Sequence, residues 1–161
     1  MNEVHRKLIG NSTRVSFPEL YVANAPARVD TGARLSSIWA TAVERDGTLA
    51  VTFFGTDSPL YTGDAVLFHE YEQLVVSSSM GHTQQRYKVR LLVGLGGKKV
   101  RASFTLADRS TQVYPILIGR NILRGKFIVD VKVGKSLREA EKEHLEHLQA
   151  ELQDVDQEEE E

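Results

Sequence analysis

The chain reads as all-β: a closed or partly closed β-barrel followed by one C-terminal helix and a disordered acidic tail. Three observations predict this. Short runs rich in β-branched and aromatic residues recur at close intervals between residues 14 and 106, broken by glycine, proline or aspartate. No apolar stripe of helical period appears before residue 135. Just after it, Ser136-Leu137-Arg138-Glu139 has the form of a capping box, in which the serine reaches the first-turn amides of a helix.

Taken in order, the strand candidates are Arg14-Val15-Ser16-Phe17, Leu20-Tyr21-Val22, Ala27-Arg28-Val29, Leu49-Ala50-Val51-Thr52-Phe53-Phe54 and Ala65-Val66-Leu67-Phe68. Two longer runs, Arg86 to Val93 and Val100 to Leu106, flank Gly94-Leu95-Gly96-Gly97-Lys98 and predict a β-hairpin with a glycine turn. In the helix, Leu145, Leu148, Leu152 and Val155 form a coiled-coil-like seam. Two heptads are too short to hold a coiled coil alone, so the seam is expected to pack on the barrel or on a partner chain. Acidic residues at a helix C-terminus oppose its dipole, which predicts fraying after residue 155. The expected organisation is a barrel domain at 1–133, an amphipathic helix at 134–155 and a disordered tail at 156–161.

With 161 residues, 41% of them apolar and 26% charged, the chain is expected to form one soluble globular domain. The absence of cysteine excludes disulfides and thiolate metal sites. The opening Met1-Asn2-Glu3-Val4-His5-Arg6-Lys7 leads into no long apolar run, so no signal peptide or membrane span is expected and the expected compartment is cytoplasmic. Seven acids and no basic residue lie after position 150; without them the net charge changes from −2 to +5. A mildly basic body suits an acidic peptide or protein substrate. It lacks the dense basic stripe of a nucleic-acid binder.

Two stretches carry chemistry. In Ala27-Arg28-Val29-Asp30-Thr31-Gly32-Ala33 an apolar strand ends in a carboxylate, Gly32 allows a sharp turn with no Cβ in the way, and the Thr31 hydroxyl is placed to tie down the loop. Further along, Tyr114-Pro115-Ile116-Leu117-Ile118-Gly119-Arg120-Asn121-Ile122-Leu123 reads as a buried strand leading into a short helix. Alone, an Asp-Thr-Gly is an ordinary turn sequence. The pair is far more specific.

Together these stretches resemble the retropepsin-like aspartic peptidases, with one D-T-G-A loop and one apolar-apolar-G-R-N segment per chain. Ile9-Gly10, Val15 to Leu20, Ser78 to Arg86, Leu106 to Ser110 and Gly125 to Asp130 are similar to a bacterial branch of that clan. Its members are often catalogued as ATP-dependent zinc proteases and often sit beside RimK-type glutamate ligases. The similarity spans residues 8 to 132. It implies a peptidase domain at 1–133, with Asp30 as the catalytic carboxylate and Thr31 and Gly32 building its loop. Ala33 and Ser36 would support that loop, and Gly119, Arg120 and Asn121 would brace it from behind. The resemblance also implies a flap around Ser77 to Gln85, with Met80, Gly81 and His82 facing substrate.

Peptide hydrolysis by this route needs a base to activate water and an acid to protonate the substrate, both in one place. The other aspartate candidates, Asp46, Asp57 and Asp64, lack the preceding strand and the following Gly-Ala, so the second carboxylate is expected from Asp30 of another copy in a homodimer. Arg34 stands where many viral retropepsins have an acid paired with the arginine of G-R-N; this leaves Glu19, Asp108 or Asp130 as the expected partner of Arg120. Leu35 and Trp39 stand where the branch more often has Thr and His.

No cofactor or metal is expected. His69-Glu70-Tyr71-Glu72-Gln73 begins like a zinc motif but ends in Gln, and His144 with His147 reads as an exposed pair on the helix. Gly94 to Lys99 lacks the spacing of a phosphate-binding loop and the Ser/Thr that would hold magnesium. The expected activity is aspartic endopeptidase. A second reading is a catalytically silent member of the fold that binds a peptide or a partner protein as a regulator, and a third, weaker one is a metallopeptidase.

Overall fold

The computed structural model describes residues 5–77 and 80–159. In chain order its elements are β1 (Lys7–Ile9), β2 (Ser12–Phe17), β3 (Val22–Val29), β4 (Ser36–Arg45), β5 (Thr48–Phe53), β6 (Ala65–Phe68) and β7 (Glu72–Ser77). They continue as β8 (Thr83–Leu95), β9 (Lys98–Ala107), β10 (Ile116–Ile118), α1 (Arg120–Leu123), β11 (Phe127–Val129) and α2 (Leu137–Glu159).

Period-two burial builds the barrel wall. Val89, Leu91, Val93 and Leu95 of β8, Val100, Ala102, Phe104 and Leu106 of β9, and Leu49, Val51 and Phe53 of β5 all face the core. Phe17 and Phe104 meet edge to face there, with ring centroids 5.4 Å apart. The β8–β9 hairpin closes through Gly96 and Gly97, both at positive φ, with Leu95 opposite Lys98. That is the two-residue turn glycine favours.

The short strand β10 closes the barrel. It runs parallel to β3, with Ile118 beside Val29, and antiparallel to β4, with Ile116 beside Ile38. The strands β10, β3, β2, β8, β9 and β4 thus form a closed ring of six. Outside the ring, β5 and β6 extend from β4, and β7 pairs with β8 as a long hairpin. A separate parallel pair, β1 with β11, holds the segment after α1 against the start of the described chain.

Three sequence expectations need correction. Leu20-Tyr21-Val22 is not a strand of its own: Pro18–Leu20 forms one 3-10 turn, Tyr21 takes a left-handed conformation, and β3 starts at Val22. Proline fixes φ at the first position of that turn and overrides the β preference of the residues after it. Strand β4 was not anticipated. Its first three residues, Ser36, Ser37 and Ile38, are all buried between β9 and β10, so no alternation marks them. The helix also runs on past residue 155 to Glu159; residues 160 and 161 of the expected disordered tail lie outside the described residues. Glutamate and glutamine are good helix formers, and their propensity over the last turn outweighs a dipole penalty of only tenths of a kcal/mol.

The capping box forms as expected, with Ser136 Oγ accepting the Glu139 amide at 3.2 Å and the Glu139 carboxylate accepting the Ser136 amide at 3.4 Å. The seam is another matter. Leu145, Leu148, Leu152 and Val155 are 41% to 66% exposed in the single chain, so it does not pack on the barrel. Among the described residues of α2, only Ala140 is buried.

Candidate active site

Asp30 directly follows β3, the strand whose buried residues are Val22, Ala25, Ala27 and Val29. Its amide donates to the Ile118 carbonyl at 2.9 Å, so β10 fixes its backbone directly. Its Oδ1 accepts the Gly32 amide at 2.9 Å and its carbonyl accepts the Ala33 amide at 3.2 Å. The carboxylate is therefore held by its own turn, as aspartate commonly is. A Cβ on Gly32 would come 3.2 Å from Asp30 Oδ1, so glycine here allows a close approach rather than a special φ.

The second stretch braces this loop from the other side. The Arg120 and Asn121 amides donate to the Ala33 carbonyl at 2.8 Å and the Arg34 carbonyl at 3.2 Å. Buried Ser36 links the two segments: its hydroxyl donates to Asn121 Oδ1 at 2.7 Å and accepts the Gly119 amide at 2.9 Å. Asn121 Nδ2 donates onward to the Ser103 carbonyl at 2.9 Å. The segments come so close that a Cβ on Gly119 would lie 2.4 Å from the Leu35 carbonyl oxygen. That carbonyl is where Leu35, one of the two departures from the branch, takes part in the site. Trp39, the other, is half-buried with its indole against Gly55.

Arg120 does not pair with an acid. Its guanidinium donates to the Thr31 carbonyl at 3.2 Å and the Gly32 carbonyl at 2.9 Å. The three expected partners are engaged elsewhere: Glu19 with the Leu92 amide and Arg101, Asp108 with the Ser110 amide, and Asp130 with the Lys132 amide. Backbone carbonyls of the loop take the place of the carboxylate that Arg34 displaces. The expected tie from the Thr31 hydroxyl is also missing, since that hydroxyl makes no hydrogen bond among the described residues. The Asp30 carboxylate and the Arg120 guanidinium hold the loop instead.

The expected flap region is a hairpin of β7 and β8, with Ser77 opposite Thr83. Met80, Gly81 and His82 are exposed at its tip, and Gly81 has φ +81°. Ser78 and Ser79 lie outside the described residues. His69 and Glu70 fall in the bend after β6, not on the helix a zinc motif needs, and His69 Nδ1 lies 3.3 Å from Thr48 Oγ1.

The sequence did not single out the positive charge around Asp30. Arg109 is half-buried, and burial followed by the nearby charges of Arg28 and Arg86 pushes its guanidinium below the usual arginine range; the Asp30 carboxylate pushes the other way. Three arginines and the loop aspartate thus share one neighbourhood. Alternation along β3 places Arg28 on the same face as Asp30, a signal the sequence does contain. Nothing local marks Arg109 or Arg86.

Comparison with known proteins agrees with this geometry. The family described as RimB-like, retropepsin-like aspartic endopeptidase RimB, matches residues 8–141. A probable alpha-L-glutamate ligase of Desulfotalea psychrophila is 29% identical over 148 residues, covering 89% of this chain and 32% of its own length. One of Shewanella pealeana, with the same description, is 32% identical over 130 residues, covering 76% of this chain and 28% of its own. The chain thus spans about a third of the length of these relatives. A solved structure from Legionella pneumophila, of unknown function, shares the fold with a TM-score of 0.60 at 24% identity, covering 83% of this chain and 99% of that one. With the family match over most of the chain and a closed barrel that presents Asp30 in a braced Asp-Thr-Gly loop, the chain belongs to the RimB-like family of retropepsin-like aspartic endopeptidases.

Proposed function

We propose that the chain is an aspartic endopeptidase, active as a homodimer, that cleaves acidic peptides. The observation that carries this is the Asp30 loop. A carboxylate held by its own turn and braced through Ser36, Gly119, Arg120 and Asn121 is a prepositioned acid–base group. One such group per chain is half a site. Two copies related by a two-fold axis would bring the Asp30 carboxylates together, where both cannot ionise comfortably and the pair shares one proton, as in known aspartic-protease dyads. The ionised member takes a proton from water as it attacks the scissile carbonyl. The protonated member gives its proton to the carbonyl oxygen, and the collapsing intermediate passes a proton to the leaving amine.

Within this reading the β7–β8 hairpin closes over the bound peptide, with Met80, Gly81 and His82 at its tip, and excludes water from the dyad. The arginines around Asp30 favour an acidic substrate. The description of the relatives as probable alpha-L-glutamate ligases points to glutamate-bearing peptides as its source.

The test is cleavage of a proteome-derived peptide library by wild type and Asp30→Asn. Asparagine keeps an oxygen for the Gly32 amide but cannot share the dyad proton, so turnover should vanish while the fold persists. Full activity in the variant, or loss of wild-type activity on chelation alone, rejects the aspartic mechanism. Equal peptide binding by both proteins without cleavage by either identifies a silent binding module.

A further inference from the structure

The positive charge beside Asp30 is not balanced by the protein itself. None of Arg28, Arg86 and Arg109 makes an ion pair among the described residues, and the nearby Asp30 carboxylate favours the cationic form of Arg109 without outweighing burial and the two neighbouring arginines. Arg109 is nonetheless held firmly. Its Nε donates to the Tyr114 carbonyl at 2.9 Å, which leaves its two terminal nitrogens without a partner among the described residues. The Nε of Arg86 is buried and lacks a partner as well.

Arg28 and Arg109 also line a common cleft of about 270 Å³. One side is Arg28 of β3 and the segment between β9 and β10, including Tyr114, and the opposite wall is the first half of α2, with Leu137, Glu141 and His144. A planar guanidinium anchored at Nε presents its two terminal nitrogens as a fork, the geometry that suits a carboxylate. Glu141 of α2 faces the same space but forms no ion pair with either arginine.

We propose that the cleft between α2 and the Arg28–Arg109 pair is a carboxylate subsite, which takes an acidic side chain of the substrate next to the scissile bond. Arg109 is its specificity-determining residue, Arg28 adds the second positive charge, and α2 is a wall of the substrate site rather than an appendage. Glu141 weakens the subsite by competing for the same charge. The placement next to the scissile bond rests on the peptidase reading; the affinity for a carboxylate does not.

The experiment compares two peptides that differ only in Glu or Gln beside the cleaved bond. Cleavage by wild type, Arg109→Gln, Arg109→Lys, Arg28→Gln and Glu141→Gln is measured as kcat/KM. Binding of the same fluorescently labelled peptides is measured on the Asp30→Asn background. Wild type should prefer Glu by at least about tenfold, the discrimination that one charge-assisted pair supplies. Arg109→Gln should erase the preference, Arg109→Lys should keep part of it, and Glu141→Gln should increase it. A merely structural Arg109 would lower activity on both peptides alike, and a merely structural Glu141 would give no gain. Equal use of Glu and Gln by wild type, or an unchanged preference in folded Arg109→Gln and Arg28→Gln, overturns the subsite and leaves the peptidase standing. If neither peptide is cleaved, the peptidase reading fails, and binding decides the subsite: Glu-selective binding lost in Arg109→Gln upholds it, and unselective binding or none overturns it.

Discussion

The Ser36 hydroxyl donates to Asn121 across 85 residues of sequence and at the same time accepts the Gly119 amide. One buried oxygen therefore joins the start of β4, the turn after β10 and the first residues of α1. These are the segments that close the barrel and brace the Asp30 loop.

Ser36→Ala should therefore cost more than a surface hydrogen bond. It leaves the Gly119 amide buried without its acceptor, a loss of about 1–3 kcal/mol. Denaturant unfolding should show that loss as a lower midpoint with an unchanged slope. Peptide turnover should fall as well, because the loop carrying Asp30 loses part of its brace. A stability equal to wild type would show that the network is dispensable.

Gly119→Ala should be harsher. The new Cβ would meet the Leu35 carbonyl at 2.4 Å and the Ala33 carbonyl at 2.9 Å, and neither backbone atom can swing aside as a side chain would. The Asp30 loop and α1 would have to separate, at a cost of about 3 kcal/mol or more. Thermal unfolding should show a large drop or no cooperative transition, whereas Gly47→Ala, a positive-φ position with nothing near its Cβ, should cost much less.

Glu19 makes part of the stability depend on pH. The Leu92 amide, and then Arg101, hold its carboxyl below the ordinary value near 4.5. A lowered acid contributes fully above that ordinary value, and the contribution disappears as pH falls through the lower folded value. Glu19 and Arg101 are nearly half exposed, so after solvent screening the effect is at most about 1 kcal/mol. Melting temperatures of wild type and Glu19→Gln should differ at neutral pH and converge at the acid end. Parallel curves down to pH 3 would assign the Glu19 contribution to packing.

The proposed two-chain site predicts a kinetic signature. Below the dimer dissociation constant, peptidase activity should rise faster than linearly with protein concentration, because a single Asp30 has no acid–base partner. The rate should follow a bell-shaped pH profile whose limbs belong to the pair. Sedimentation at assay concentration that finds a fully active monomer would refute the two-chain site.

The sequence by itself determined the Asp30 loop, its brace and the barrel class. Those features are local: an Asp-Thr-Gly turn at a strand end, a Gly-Arg-Asn start to a short helix, and period-two apolar runs each declare their backbone within a few residues. It also determined the capping box and the glycine turn at Gly96 and Gly97, for the same reason. Tertiary structure decided what meets what. Arg120 took the Thr31 and Gly32 carbonyls instead of any acid, because barrel closure places those oxygens within its reach while Glu19, Asp108 and Asp130 are held by nearer donors. Strand β4 was hidden because burial on both sides erases the alternation that marks a strand. The arginines at 28, 86 and 109 come from β3, β8 and the segment after β9, and only the order in which those strands close the ring brings their charges to Asp30. Long-range pairing carries no signature in a short window of sequence, since the contacts that reward it lie dozens of residues away.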